Sequence, residues 1–297
     1  MFKECDPDSK RQNDFAVLTA AVVVLYHPGD EVVANIRSWN DQVTKVYAVD
    51  NSEPPDESFA ARMVDLGNVT WLPQRENVGV AAALNMGAEL AISEGFSFLL
   101  TMDQDSRATP NMVATLLACV VEGGRDVGII APFQLLKSGS VPPRSGNEEA
   151  EAVLTSGNIL NLRAYEIVGP FVDELFIDMV DIEYCLRLRS AGYRIIRCHD
   201  ALLEHNLGDI TAHRYLGRMV SVSNHPPLRR YYMSRNRFYV IARYRSQYPE
   251  FCRRQIRQIV GEIKGIILFE HEKPAKLWMT LKGYLDYHRR KMGRFHA

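Results

Sequence analysis

Apolar runs and amphipathic stretches alternate along the first hundred residues. Residues 18–26 form a β-branched apolar run, which predicts a buried strand. His27-Pro28-Gly29-Asp30 stops it, and Asp30 is placed to cap a helix over 31–39. A strand over 43–49 follows, stopped by Asp50-Asn51-Ser52 and then Pro54-Pro55. A short helix over 57–66 and a strand over 69–72 come next. Residues 80–91 are alanine-rich and predict a strong helix. The run over 96–102 is apolar at both odd and even positions, as in a strand buried on two sides, and it ends in Asp103-Gln104-Asp105. This alternation predicts βαβ units and a mainly parallel sheet flanked by helices. Right-handed crossovers then bring Tyr26, Asp50 and Asp103 to one sheet edge.

Beyond the aspartates, Pro110 is expected at the first turn of a helix over 111–121, ended by Gly123-Gly124. A strand over 127–132 follows. Residues 137–151 are rich in Ser, Gly and Pro and read as a mobile loop, not a domain linker, because strand-like sequence resumes at Val153. Thr155-Ser156-Gly157-Asn158 interrupts the next apolar region. In 175–189, Asp178 is a candidate cap for a helix with Ile182, Cys185, Leu186 and Leu188 inward, Asp181 in its first turn, and Glu183 and Arg187 spaced to pair. A strand over 193–198 leads to Leu202-Leu203-Glu204-His205-Asn206-Leu207-Gly208. Aromatics and arginines interleave over 228–244. A helix over 251–269 carries Ile256, Ile259, Val260, Ile263 and Ile267 as one stripe, with Arg253, Arg254, Arg257 and Lys264 off it.

Charge divides the chain. The net charge of −1 hides 19 Lys and Arg against 5 Asp and Glu over 213–297, and 16 against 31 before that. The organisation expected is therefore a flexible N-terminus at 1–14, a catalytic domain at 15–212 and a basic helical C-terminal extension at 213–297. Such a tail suits an anionic partner, or it packs on the acidic body and is neutralised there. The helix over 251–269 is open to the same choice between core packing and a membrane surface. No apolar run reaches the ~18 residues of a membrane span. Residues 1–14 hold no apolar signal core, so a cytoplasmic location is expected, with the inner face of the plasma membrane as an extension of it. The five cysteines contain no Cys-x-x-Cys pair and read as free thiols, mostly buried.

Three residue groups could carry chemistry. Asp103 and Asp105 form a hard-oxygen pair suited to Mg²⁺ or Mn²⁺ and to a phosphate that such a metal brings, or simply an acidic turn before a helix. Asp181 is a carboxylate suited to general-base work, or an acid that only stabilises its helix. His205 is a metal ligand beside those carboxylates, or a structural histidine.

Taken in order, these motifs resemble the family 2 glycosyltransferases of the GT-A fold, in their bacterial rhamnosyltransferase branch. The resemblance covers roughly residues 18–244. It rests on Val49-Asp50-Asn51-Ser52, Glu76-Asn77-Val78-Gly79, Asp103-Gln104-Asp105-Ser106, Thr155-Ser156-Gly157-Asn158, the 176–187 segment and His205-Asn206-Leu207-Gly208. It implies an inverting, metal-dependent sugar transfer. Asp50 would bind the nucleobase, Asn77 and Gly79 would shape the nucleotide pocket with Tyr26, and Asp103 would hold ribose and metal–diphosphate. Asp105 and His205 would complete the metal site, and Asp181 would be the base. Ser156, Gly157, Asp178 and Arg235 are expected near the acceptor or diphosphate. The implied partners are a dTDP- or UDP-sugar donor, with dTDP-rhamnose first, and a saccharide or lipid-linked saccharide acceptor. Peripheral membrane contact through the extension is expected, nucleic acid is not, and an oligomer is compatible. The absence of a Gln-x-x-Arg-Trp motif argues for adding one sugar or a few. A nucleotidyltransferase would need a Gly-rich basic loop after the first strand, which Tyr26-His27-Pro28-Gly29 does not supply. A nucleic-acid-binding module would need neither Asp-x-Asp nor Asp181, and would lose affinity steeply with salt.

Overall fold

The computed structural model describes residues 19–124, 126–135, 145–205, 210–215 and 218–296, with the backbone alone at 121–123, 205, 210–215 and 218–221. They cluster into two compact units: Met1–Val172 with Tyr184–Asn206, and Asp173–Glu183 with Leu207–Ala297. The second unit thus takes a central segment as well as the C-terminal extension.

In the first unit, β1 (Thr19–Leu25), β2 (Lys45–Asp50), β3 (Val69–Pro73) and β4 (Phe98–Asp103) form the parallel half of the sheet. β5 (Ser106–Ala108), β6 (Val127–Leu135), β7 (Asn147–Glu149), β8 (Asn158–Asn161) and β9 (Arg194–His205) complete it. The order is β3-β2-β1-β4-β8-β6-β9-β5, with β7 on β9. β8 runs antiparallel between β4 and β6, β6 and β9 are parallel, and β5 and β7 are antiparallel to β9. Helices α1 (Glu31–Arg37), α2 (Glu57–Val64), α3 (Gly79–Ser93), α4 (Met112–Gly123) and α5 (Leu162–Val168) link the strands. The mainly parallel sheet with flanking helices is the architecture that the apolar pattern predicts.

One core joins the inward faces of α1, α2 and α4 to the sheet through Val32, Ile36, Phe59, Met63, Val113 and Leu116 against Val23, Ala48 and Leu100. The buried side of α3 is built from small residues, Ala81, Ala83, Gly87, Ala88 and Ala91, which let a helix approach a strand closely. A Cβ at Gly87 would sit 2.5 Å from the Val22 side chain. Gly87→Ala is therefore expected to destabilise the fold by about 1–3 kcal/mol, despite alanine's better helix propensity, as read by urea unfolding.

Several helix starts differ from expectation. Asp30 makes no capping bond and instead pairs with Arg62 at 2.7 Å. The helix expected from Asn111 begins at Met112, with Asn111 itself left-handed at φ 62°, so Pro110 lies outside it. Of the loop expected over 137–151, residues 137–144 lie outside the described set, and Asn147–Glu149 pairs as β7. Cys119, Cys185, Cys198 and Cys252 are buried thiols, as expected, while Cys5 lies outside the described residues.

The second unit holds a two-stranded antiparallel ribbon, β10 (Ile210–Tyr215) and β11 (Arg218–Ser223). Three helices follow: α7 (Pro227–Tyr244), α8 (Pro249–Phe269) and α9 (Lys273–His288). Helix α6 (Val180–Ser190) begins in this unit and ends in the first. Charge is buried here in matched sets. Arg230 meets Glu270 at 2.5 Å, Lys276 meets Glu270 at 3.1 Å, and Arg237 grips both oxygens of Glu262 at 2.9 Å. Such ions tolerate burial only because each faces an opposite charge. Glu262 and Glu270 are thus spent within the extension, which keeps its basic excess.

Candidate active site

The sheet register does what the crossovers predict. Leu25 lies beside Asp50 and Val24 beside Asp103, so Tyr26, Asp50 and Asp103 end adjacent parallel strands at one edge. Ligands bind at this edge in open α/β sheets. The loops there are held by short polar bonds. The Gln104 side chain clasps the Tyr26 backbone, accepting from its N–H at 2.8 Å and donating to its carbonyl at 3.2 Å. The Asn35 amide donates to the Gln104 carbonyl at 2.9 Å. The middle residue of Asp103-Gln104-Asp105 therefore ties the acidic turn to the end of β1, a role that composition did not reveal. Tyr26 remains 47% exposed, leaving its ring available at the edge.

Asp50 is fully buried. Its Oδ1 accepts from the Ser52 N–H at 2.9 Å and its Oδ2 from the Trp71 indole at 3.2 Å. Ser52 Oγ accepts in turn from the His27 N–H at 2.8 Å. Asn77 precedes α3, its Oδ1 accepting from the Gly79 N–H at 3.0 Å, while Glu53 accepts from the Asn77 N–H at 2.9 Å. Gly79 adopts φ 88°, a backbone that favours glycine, and its carbonyl accepts from the Asn51 amide at 3.2 Å.

Asp103 is half-buried and Asp105 exposed. His205 pairs in register with Ser106, one residue beyond Asp105. Asn206, Leu207 and Gly208 of the same motif lie outside the described residues. Among the described residues, no group of three His, Cys, Asp or Glu side chains is gathered as a metal cage. The donor set at the end of β4 nevertheless fits a hard cation: two carboxylates two residues apart at an open sheet edge, needing a ligand's phosphate oxygens to complete a shell.

Ser156 and Gly157, expected near the acceptor or diphosphate, lie close to the acidic turn. Ser156 is fully buried. Its Oγ accepts from the Asp103 N–H at 3.1 Å and donates to Ser106 Oγ at 2.8 Å. A Cβ at Gly157 (φ 86°) would lie 2.7 Å from Pro132 and 2.9 Å from Leu203. These two residues join the 155–158 turn to the acidic turn.

Asp181 belongs to the second unit and is half-buried at the start of α6. Its Oδ1 accepts from the Ile182 N–H at 2.8 Å. The approach to it is strained: Phe176, Asp178 and Met179 all have φ near 65°. Left-handed backbone at three non-glycine positions costs about 1–3 kcal/mol each and needs external support. Asn236 supplies it. Its side-chain amide donates to the carbonyls of Leu175, Ile177 and Asp178 at 2.7, 2.7 and 2.9 Å. Arg235 adds bonds to the carbonyls of Glu174 at 3.1 Å, Leu175 at 3.2 Å and Gly293 at 2.6 Å. It is fully buried and lies over the Tyr231 and Tyr232 rings. Arg235, expected near diphosphate or acceptor, has all three guanidinium nitrogens hydrogen-bonded within the chain, Nε to Asn236 Oδ1 at 2.9 Å. A polar asparagine within an aromatic helix was the available signal for this clamp, since such residues are weak helix formers and need another reason to be there.

Asp178 does not cap α6. Its Oδ1 takes the Arg229 guanidinium at 3.1 Å, its Oδ2 is buried without a hydrogen bond, and burial pushes its carboxyl above the usual range. Glu183, spaced to pair with Arg187, is fully buried and accepts from the Tyr244 hydroxyl at 2.8 Å. Arg187 donates to the Pro170 carbonyl at 2.8 Å. Burial, with Glu183 beside it, raises the Tyr244 phenol far above its ordinary value.

Comparison with known proteins agrees with this geometry. The Glycosyl transferase family 2 model matches residues 21–146. The chain is 27% identical over 239 residues to the dTDP-rhamnosyl transferase RfbF of Shigella flexneri, covering 74% of this chain and 79% of that one. Among solved structures it resembles GalNAc-T7, crystallised with UDP, GalNAc and Mn²⁺ (TM-score 0.55, 13% identity, 71% of this chain). It also resembles TarS of S. aureus (TM-score 0.52, 15% identity, 91% of this chain). The chain spans 45% and 43% of those two solved chains, which fixes the likeness at the level of the fold. Residues 21–146 thus match the glycosyl transferase family 2 model, and the fold is that of GT-A glycosyltransferases.

Proposed function

We propose that the chain is a metal-dependent, inverting glycosyltransferase that moves L-rhamnose from dTDP-rhamnose to a saccharide or lipid-linked saccharide acceptor. The observation that carries this reading is the similarity to a dTDP-rhamnosyl transferase over most of both chains, together with Asp50, Asp103 and Asp105 at one sheet edge. Asp103 and Asp105 bind the donor's diphosphate end, with His205 beside them in register. A divalent ion, Mg²⁺ or Mn²⁺, supplies charge neutralisation for the departing nucleotide diphosphate when bound. Asn77 and Gly79 shape the wall of the nucleotide pocket, Tyr26 offers its exposed ring, and Asp50 receives the base.

The proton chemistry belongs to Asp181. An inverting displacement needs the acceptor hydroxyl deprotonated as it attacks the anomeric carbon opposite the leaving diphosphate, and an ionised carboxylate fixed on its helix turn suits that task. Glu183, two residues on, accepts from the Tyr244 hydroxyl and Asp178 takes the Arg229 guanidinium, and the base role falls to Asp181. An acceptor on a lipid carrier would bring the extension to a membrane face.

A thermal-shift panel of dTDP- and UDP-sugars with Mg²⁺ or Mn²⁺ tests the donor. Stabilisation by dTDP-rhamnose above the others is expected. A preference for UDP-galactofuranose or UDP-glucose would move the chain to a UDP-sugar specificity. Asp105→Ala is expected to abolish the metal-stimulated part of donor binding in calorimetry, and unchanged metal stimulation would remove Asp105 from the site.

A further inference from the structure

We propose that one face of α8 docks on an anionic lipid surface. Ile256, Val260 and Ile267 follow the spacing i, i+4, i+11, which aligns them in one row on an α-helix. The sequence left this row open between core packing and a membrane surface, and the three are 49%, 48% and 49% exposed. The helix is buried instead through Phe251, Cys252, Gln255, Gly265 and Ile266. A Cβ at Gly265 would lie 3.1 Å from Val222, so the helix packs through that side and the exposed apolar row borders it.

Arg253, Arg257 and Lys264 repeat the same spacing three positions earlier, and all are exposed. They form a cationic row alongside the apolar one. The helix has two acids. Glu262 is engaged by Arg237 and Arg230, and Glu250 pairs with Arg253. The outward face is therefore apolar along one line and positive along the next. An interfacial helix needs this arrangement: apolar side chains sink past the headgroups while cations stay level with lipid phosphates. Among the described residues no helix is long and apolar enough to cross a membrane, so α8 would lie in the interface. A two-fold contact with a second copy would bring the two cationic rows together and suffer their repulsion, which disfavours a dimer through this face. The inference deepens the membrane contact proposed for the extension and assumes nothing about donor or base.

Flotation of the full chain with vesicles tests it, with no nucleotide or acceptor present. The chain is expected to float with vesicles containing phosphatidylglycerol, to stay behind with phosphatidylcholine alone, and to be released by salt. Replacing Arg253, Arg257 and Lys264 together by serine is expected to lower partitioning on the order of a hundredfold. Replacing Ile256, Val260 and Ile267 together by serine should also abolish flotation. Both triple variants alter exposed positions, so their melting and donor-induced thermal shifts should match the parent protein, which separates failure here from failure of the donor assignment. Equal binding to both vesicle types, binding that survives both triple variants, or a dimer in sedimentation that the apolar variant splits, without vesicle binding, would overturn the proposal.

Discussion

Asp181→Asn is expected to lower the rate of sugar transfer by about 10²- to 10⁴-fold while leaving donor affinity unchanged. The amide keeps the size of the carboxylate and still offers an oxygen to the Ile182 N–H, so the turn that holds it should persist. What disappears is a group able to take a proton from the acceptor. Loss should fall on kcat, because the base acts as the hydroxyl attacks and contributes little to donor binding. Steady-state kinetics with released nucleotide as readout, paired with calorimetric donor titration, separates the two. Near-normal turnover in Asp181→Asn would take the base role away from this residue.

The second large effect is expected at Asn236. Asn236→Ala deletes one amide that serves three carbonyls of the 175–178 segment. Buried carbonyls left without donors cost about 1–3 kcal/mol each, and partial relaxation or water entry would bring the total to about 3 kcal/mol. The same bonds hold Phe176, Asp178 and Met179 in left-handed backbone. Releasing them should let the segment relax toward ordinary φ and move Asp181, so kcat should fall beyond what lost stability explains. Denaturant unfolding gives the first effect, and turnover measured well below the melting temperature gives the second. A variant as stable and as active as the parent would show that the strained turn holds itself.

Physical reasons separate what the sequence made legible from what it did not. The parallel strands were readable because burial on both faces writes continuous apolar runs, and β1, β2 and β4 have them. β5, β7 and β8 were not, since three- or four-residue strands leave no periodicity. The sheet-edge aspartates followed from topology alone. The Arg235–Asn236 clamp did not, because polar residues in a helix look solvent-facing until their backbone partners are known. Helix α8 shows the complementary gap: spacing identifies a stripe but not what covers it, and Ile256, Val260 and Ile267 turned out exposed. Asp30 and Asp178 were plausible caps by residue type, yet arginines, Arg62 and Arg229, engage them.

The central claim is that the acidic turn at the end of β4 binds a rhamnose donor through a metal. Calorimetric titration of the purified protein with dTDP-rhamnose, with Mg²⁺ and again with a chelator, tests it most directly. Saturable binding that requires the metal and exceeds that of UDP-glucose is the predicted result. Absence of binding by any dTDP- or UDP-sugar with the metal present, or binding indifferent to the chelator, would contradict it.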